Sequence, residues 1–323
     1  MQELLLMISF VAIFAIGVGT LASMIGIGGG VINTPLLLLV FWQVFNEQSA
    51  PSTSLVGAFF VAIAASIAYW RQKPRPTLLK PGLVLAVLSV PGSLFGVWLR
   101  TLIEAPYILR LIFGILLMPV ALKMLFAKKS GKDDLETEMA NWSISNITTK
   151  RWGISLFGAF IGGIAAGLLG IGGGSVIVPV LSVLMGVPMH AAVATSMFTM
   201  MFTAAAGTTY NIILGHVNLY FAVALGLGML VGGQIGSRLG CRVNSVKLKQ
   251  IFGLILVYPL ITMMRLGQMW LNPDGSNVVL STAGNIIIWL VIVVPIGLLR
   301  FYQIRKQGSI GGTIEPCDIP TSE

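Results

Sequence analysis

The chain has 323 residues, of which 56% are hydrophobic and only 10% charged, with mean hydropathy +0.91 and a net charge of +9. Soluble proteins carry about 25% charge, and the apolar residues here come in long uninterrupted runs that read as membrane spans. This composition excludes a soluble enzyme or a nucleic-acid-binding domain, because the basic residues sit in short loops between spans, the positive-inside pattern. The two cysteines, Cys241 and Cys317, are too few and too far apart for a disulfide framework or metal cage.

Eleven membrane elements are expected, giving an all-α polytopic membrane protein. The first five are Leu4–Met24, Val31–Phe45, Leu55–Trp70, Gly82–Leu99 and Tyr107–Phe126, which make a first repeat over residues 1–126. The N-terminus lacks the basic region and cleavage site of a signal peptide, so the first run is expected to be a retained span. A charged linker, 127–151, is placed on the cytoplasmic side. A second repeat over 152–266 holds Trp152–Leu169, Val176–Val187, Met197–Leu214, Leu219–Arg238 and Lys247–Arg265. An additional span, Ala283–Leu299, lies within 267–302. The tail 303–323 is rich in Gly and Pro and is expected to be disordered.

Two stretches interrupt this apolar sequence in the same way. Gly26-Ile27-Gly28-Gly29-Gly30 is followed five residues later by Pro35, and Gly170-Ile171-Gly172-Gly173-Gly174 is followed five residues later by Pro179. Glycine costs roughly 1 kcal/mol per helical position relative to alanine, so three in a row signal a break. Broken backbone survives in lipid only where protein or a water-filled cavity covers it. The elements after the breaks are short, about 12 to 15 residues or roughly 20 Å, against a hydrocarbon core near 30 Å. Each break is therefore expected at the tip of a half-crossing hairpin, with the two tips meeting near the midplane.

The halves repeat beyond the glycines. Ser52-Thr53-Ser54 aligns with Ala194-Thr195-Ser196, Ile112-Phe113-Gly114 with Ile251-Phe252-Gly253, and Gly96 with Gly236. Five elements per half is an odd number, so the repeats are expected to be inverted. With the N-terminus outside and the C-terminus cytoplasmic, the inner loops collect most of the Lys and Arg. Arg100 falls in an outer loop in this reading.

A helix N-terminus presents unpaired N–H groups and about half a positive charge, a natural anion site. Gly26, Gly28, Gly29, Gly30 and Gly170, Gly172, Gly173, Gly174 would let a small oxyanion approach the backbone closely; the alternative role is tight helix packing. Ser52, Thr53, Ser54, Thr195 and Ser196 could complete the coordination or cap the following helix. Ser175 aligns with Val31, so its contribution would be asymmetric. Asn33, Thr199, Asn211 and Gln234 are read as interhelical contacts rather than ligands. None of the acidic residues falls inside a span, which argues against an intramembrane carboxylate relay. His190 is the one histidine beside the Thr195-Ser196 motif. The dinucleotide reading of the glycines fails, since the sixth position is Val31 in one copy and Ser175 in the other. Nothing points to catalysis, a metal or a cofactor.

The duplicated glycine signature with Pro35 and Pro179, together with Thr53-Ser54 and Thr195-Ser196, resembles the sulfite exporter (TauE/SafE) permeases over Phe14 to Met264. The resemblance implies a permease of the bacterial inner membrane or archaeal plasma membrane. It implies sulfite, organosulfonates or related sulfur oxyanions as substrates, exported by alternating access around a midplane anion site. A passive small-anion channel and a non-transporting scaffold or sensor subunit are the readings from other classes.

Overall fold

The structure is a computed structural model that describes residues 2–102 apart from 42, 47 and 74, residues 147–240, and, further on, 257, 261, 266–271, 280, 281, 283–292, 294 and 295. The fifth element of the first half, most of the linker and of the tenth element, both cysteines and the tail lie outside the described residues. All secondary structure among the described residues is helical.

Uninterrupted apolar sequence gives the long helices α1 (Gln2–Ile25), α3 (Ser49–Trp70), α4 (Leu79–Leu102), α5 (Thr149–Leu169), α7 (Met189–Ile213) and α8 (Leu219–Gly240). All six are long and apolar enough to cross a membrane. The glycine runs start two short helices instead. α2 covers Gly30–Val40. α6 covers Gly174–Pro179 and continues as a π-helical turn, Val180–Leu184. Pro179 has no N–H to give to the ladder, and just beyond it the ladder slips by one residue, with Met185 N–H bonding the Val180 carbonyl at 3.1 Å. Eleven residues of α2 reach about 16 Å, roughly half of a hydrocarbon core. Helices α1–α8 belong to one compact unit, and α9 (Leu266–Leu271) and α10 (Ala283–Ile292) to a second.

Two boundaries differ from the sequence reading. α3 begins at Ser49 and α7 at Met189, so Ser52-Thr53-Ser54 and Thr195-Ser196 lie inside the helices, within about two turns of their starts, rather than ahead of them. Pro51 is tolerated there because first-turn N–H groups have no intrahelical acceptor. The hydroxyls that break the apolar pattern are all fully buried. Arg100 is the third difference: it is part of α4 and buried, not in an outer loop.

The helices of the first half pack on those of the second. α1 lies along α8, α4 along α5, α3 along α8 and α4 along α7, with α3 against α7. Small residues let the backbones approach, as expected where lipid gives no hydrophobic drive to helix pairing. The fit is matched across the halves. A Cβ at Gly92 or Gly96 would run into the carbonyls of Phe160 and Ile164, and one at Gly232 or Gly236 into those of Ile16 and Thr20.

Gly30 shows this constraint most sharply. It is the first residue of α2, and a Cβ there would collide with the carbonyl of Gly170 and the Cα of Ile171, backbone with no free side-chain end to swing away. Gly30→Ala is therefore expected to destabilise the protein by about 1–3 kcal/mol, the usual cost of overpacking. Gly17→Ala, with nothing within 4 Å of the added methyl, is expected to be neutral or mildly stabilising. Thermal unfolding and size-exclusion profiles of the two detergent-purified variants check the contrast.

Candidate functional site: the crossing of two glycine turns

Positive φ angles explain the glycines. Gly26, Gly28 and Gly29 have φ of 87, 87 and 75°, and Gly170, Gly172 and Gly173 have 69, 78 and 85°, a region that L side chains rarely adopt. Gly29 and Gly173 are the N-caps of α2 and α6, and neither helix start has a side-chain cap.

The two turns cross one another. Gly30 lies against Gly170 and Ile171, and Gly174 lies reciprocally against Gly26 and Ile27. A Cβ at Gly28 would lie 2.5 Å from Met200 Sδ, and one at Gly172 2.7 Å from the same sulfur. Met200 is fully buried, so a single polarisable thioether fills the gap between the turns. A second methionine, Met229, sits beside Gly29 and Gly57 and receives a hydrogen bond from Asn33 Nδ2 at 3.0 Å.

The neighbouring hydroxyls serve this crossing in pairs. Ser54 Oγ donates to the Gly170 carbonyl (3.4 Å) and Ser196 Oγ to the Gly26 carbonyl (3.2 Å). Each serine thus binds the turn of the opposite half. Thr195 Oγ1 accepts from the N–H of Leu78 (2.9 Å), just ahead of α4, and Thr53 Oγ1 accepts from the N–H of Asn218 (3.1 Å), just ahead of α8. The threonines therefore cap helices of the other half, not those in which they sit. Ser175 stands apart: its buried Oγ has no partner. Thr199 Oγ1 lies 3.1 Å from the Gly82 carbonyl and Gln234 Nε2 bonds that of Ala64 at 2.8 Å, tying α7 to α4 and α8 to α3.

Ser52 belongs to a cluster that the sequence reading missed. Its Oγ accepts from Arg100 Nη2 at 2.7 Å and lies 2.7 Å from the Gln48 carbonyl and 2.9 Å from Asn211 Oδ1, its single proton serving one of them. Arg100 Nη2 also donates to Asn211 Oδ1, and Nη1 donates to the Gly167 carbonyl at 3.2 Å. The signal that could have revealed it is spacing. Ser89, Gly92, Ser93, Gly96 and Arg100 share one helical face, and that face packs on protein.

These features define a class: a multi-pass helical membrane protein whose centre is built from two crossed, glycine-broken hairpins. Residues 11–263 match the sulfite exporter TauE/SafE family, and the chain belongs to that family. It is 31% identical over 262 residues to the probable membrane transporter protein YunE of Bacillus subtilis (strain 168), covering 77% of this chain and 95% of that one. A probable membrane transporter protein of Xylella fastidiosa (strain Temecula1) is 29% identical over 243 residues, 74% and 88% of the two chains. One from Methanocaldococcus jannaschii is 26% identical over 267 residues, 79% and 94%. No solved structure matches the chain.

Two measurements follow from this geometry. Thr195→Val keeps the shape but leaves the Leu78 N–H without its acceptor, an expected loss of about 1–3 kcal/mol, which Thr195→Ser should largely restore in thermal unfolding. His216, in the loop between α7 and α8, has its pKa held below the ordinary 6.5, first by burial and then by the charge of Arg100. The unfolded chain then takes up that proton first as pH falls. Stability is expected to drop on acidification below about pH 6.5, and to drop less in His216→Gln, as read by unfolding at pH 7.5 and 5.5.

Proposed function

We propose that this protein is a secondary transporter for small sulfur-containing oxyanions such as sulfite or organosulfonates. It exports them across the cell (inner) membrane by alternating access around the crossed glycine turns. In this reading the two halves are inverted repeats, with the N-terminus outside and the C-terminus cytoplasmic. Family membership supports transport, and the relatives carry transporter names.

The observation that carries the anion is the reciprocal packing of Gly30 on Gly170 and Gly174 on Gly26. It brings two uncapped helix starts side by side, and each carries about half a positive charge. An anion between them relieves their repulsion and takes up N–H groups that no side chain caps. Backbone donors from Gly28–Gly30 and Gly172–Gly174 would surround it, while Gly26 and Gly170, whose N–H groups bond the carbonyls of Ala22 and Ala166, would shape the turns. Ser54, Ser196 and the unpartnered Ser175 hydroxyl stand closest in chemistry to the oxygens of such a ligand, with Ser52, Thr53 and Thr195 as supports. Met200, between the turns, must withdraw for the anion to enter. The matched contacts of the halves favour a two-fold relation, and alternating access then amounts to one half rocking on the other.

Purified protein in proteoliposomes tests this reading. Saturable movement of at least one of sulfite, sulfate, thiosulfate or a small sulfonate is expected, with chloride and rubidium as controls and with and without a pH gradient. Transport of the cation, or of none of the panel, overturns it. Non-saturating electrical conductance would make the protein a channel instead.

A further inference from the structure

The halves match in the close backbone contacts of their shared seams, and one of the places where their side chains differ carries a charge. Four residues beyond the aligned pair Gly96 and Gly236 stand Arg100 in one half and Gly240 in the other. Asn211 occupies the position of Tyr69, and Ser52 that of Ala194. The backbone carbonyl served at each place is also equivalent: Gly167, three residues before one glycine turn, and Ser23, three before the other. Tyr69 Oη donates to the Ser23 carbonyl at 2.9 Å, with Gly240 beside it. At the equivalent place beside the other turn, the Gly167 carbonyl is served by Arg100 Nη1. At the Ser23 carbonyl a neutral phenol does this structural task. A guanidinium does it at the cost of burying a full charge.

Arg100 is 6% exposed. Three of its N–H bonds go to neutral acceptors, its Nε has no hydrogen-bond partner, and no carboxylate pairs with it among the described residues. Burying an unpaired charge is expensive, and packing alone does not call for it, since Tyr69 meets the same need. The surroundings suit an anion: Ser52 Oγ and Asn211 converge on the guanidinium, and two residues along α3 from Ser52, Ser54 touches the glycine crossing. Arginine's planar fork matches the oxygens of a tetrahedral or pyramidal oxyanion.

We propose that Arg100, with Ser52 and Asn211, forms a charged binding site for a small inorganic oxyanion, present at only one of the two equivalent seams between the halves and adjoining the glycine crossing. It rests on the anion-transport reading for its role but not for its existence. As a charged station on one side of an otherwise matched pair of halves, it makes the path asymmetric. The anion is drawn to the Arg100 side and passed to backbone donors.

The test is thermal stabilisation of the detergent-purified full chain by sodium sulfite and sodium sulfate, with sodium chloride at equal ionic strength as control. Wild type is expected to be stabilised by at least one oxyanion beyond chloride, and Arg100→Gln to need at least tenfold more of it. Arg100→Gln could fail to fold, so Asn211→Asp is the second variant. It is isosteric and puts a carboxylate against Nη2, and it is expected to raise the melting temperature while abolishing the anion response. An unchanged response in either folded variant overturns the proposal. So does a wild type with no response while Glu47→Gln or Glu104→Gln gains one, which would make an acid of the chain the counter-ion. Uptake in proteoliposomes separates the two readings. Transport that survives Arg100→Gln with unchanged KM sinks this site and leaves the transporter intact. Arg100-dependent stabilisation without transport keeps the site and sinks the transporter. Absence of both sinks both.

Discussion

The fold depends on one backbone contact made twice. Gly30 on Gly170 and Gly174 on Gly26 bring main chain against main chain at the centre of the bundle, where no Cβ fits. Unbroken helices of the bundle also approach this closely at glycines, but their peptide groups stay bonded within their own ladders. Breaking the helix with glycines at positive φ exposes the peptide groups, and crossing two such breaks protects them from lipid again. The short helices α2 and α6 follow, because a chain that breaks at the centre of the bundle has only part of its thickness left to traverse. The serines follow too: Ser54 and Ser196 hold the carbonyls that a broken ladder leaves exposed.

The crossing gives the two halves the same frame, and side chains then make them differ. Along the α4–α7 seam the contacts are polar: Thr195, Thr199, the Ser89–Thr203 pair at 2.6 Å, and finally Arg100 with Asn211. The equivalent α3–α8 seam also has polar ties, Thr53 with the Asn218 N–H and Gln234 with the Ala64 carbonyl, but between them it is filled by Met229, Phe60 and glycine and carries no buried charge among the described residues.

Methionine is the residue placed where the halves meet. Met200 touches both turns, and Met229 fills the space beside Gly29, Gly57 and Asn33. An unbranched thioether changes rotamer at low cost and packs against varied surfaces. A branched residue in either place would hold the crossing in one arrangement by its shape.

The sequence by itself determined the class. Uninterrupted apolar runs, scarce charge and the duplicated glycine run with its matched proline are local features, legible because lipid demands a helix and glycine refuses one. The helix boundaries near Ser52 and Thr195 were not legible. Hydropathy reads a hydroxyl as an end of burial, whereas here the buried hydroxyls of Thr53, Ser54, Thr195 and Ser196 each bond a backbone group of the other half. The role of Arg100 was hidden for the same reason. A basic residue at the end of an apolar run looks like an interfacial anchor, and only its neighbours, Ser52, Gly167 and Asn211 from three separate helices, reveal a buried charge. Those partners are 48 to 111 residues away along the chain. Local pattern carries propensity and polarity, but what a polar group bonds to is set by which helices meet, and that was decided by the crossing of the glycine turns.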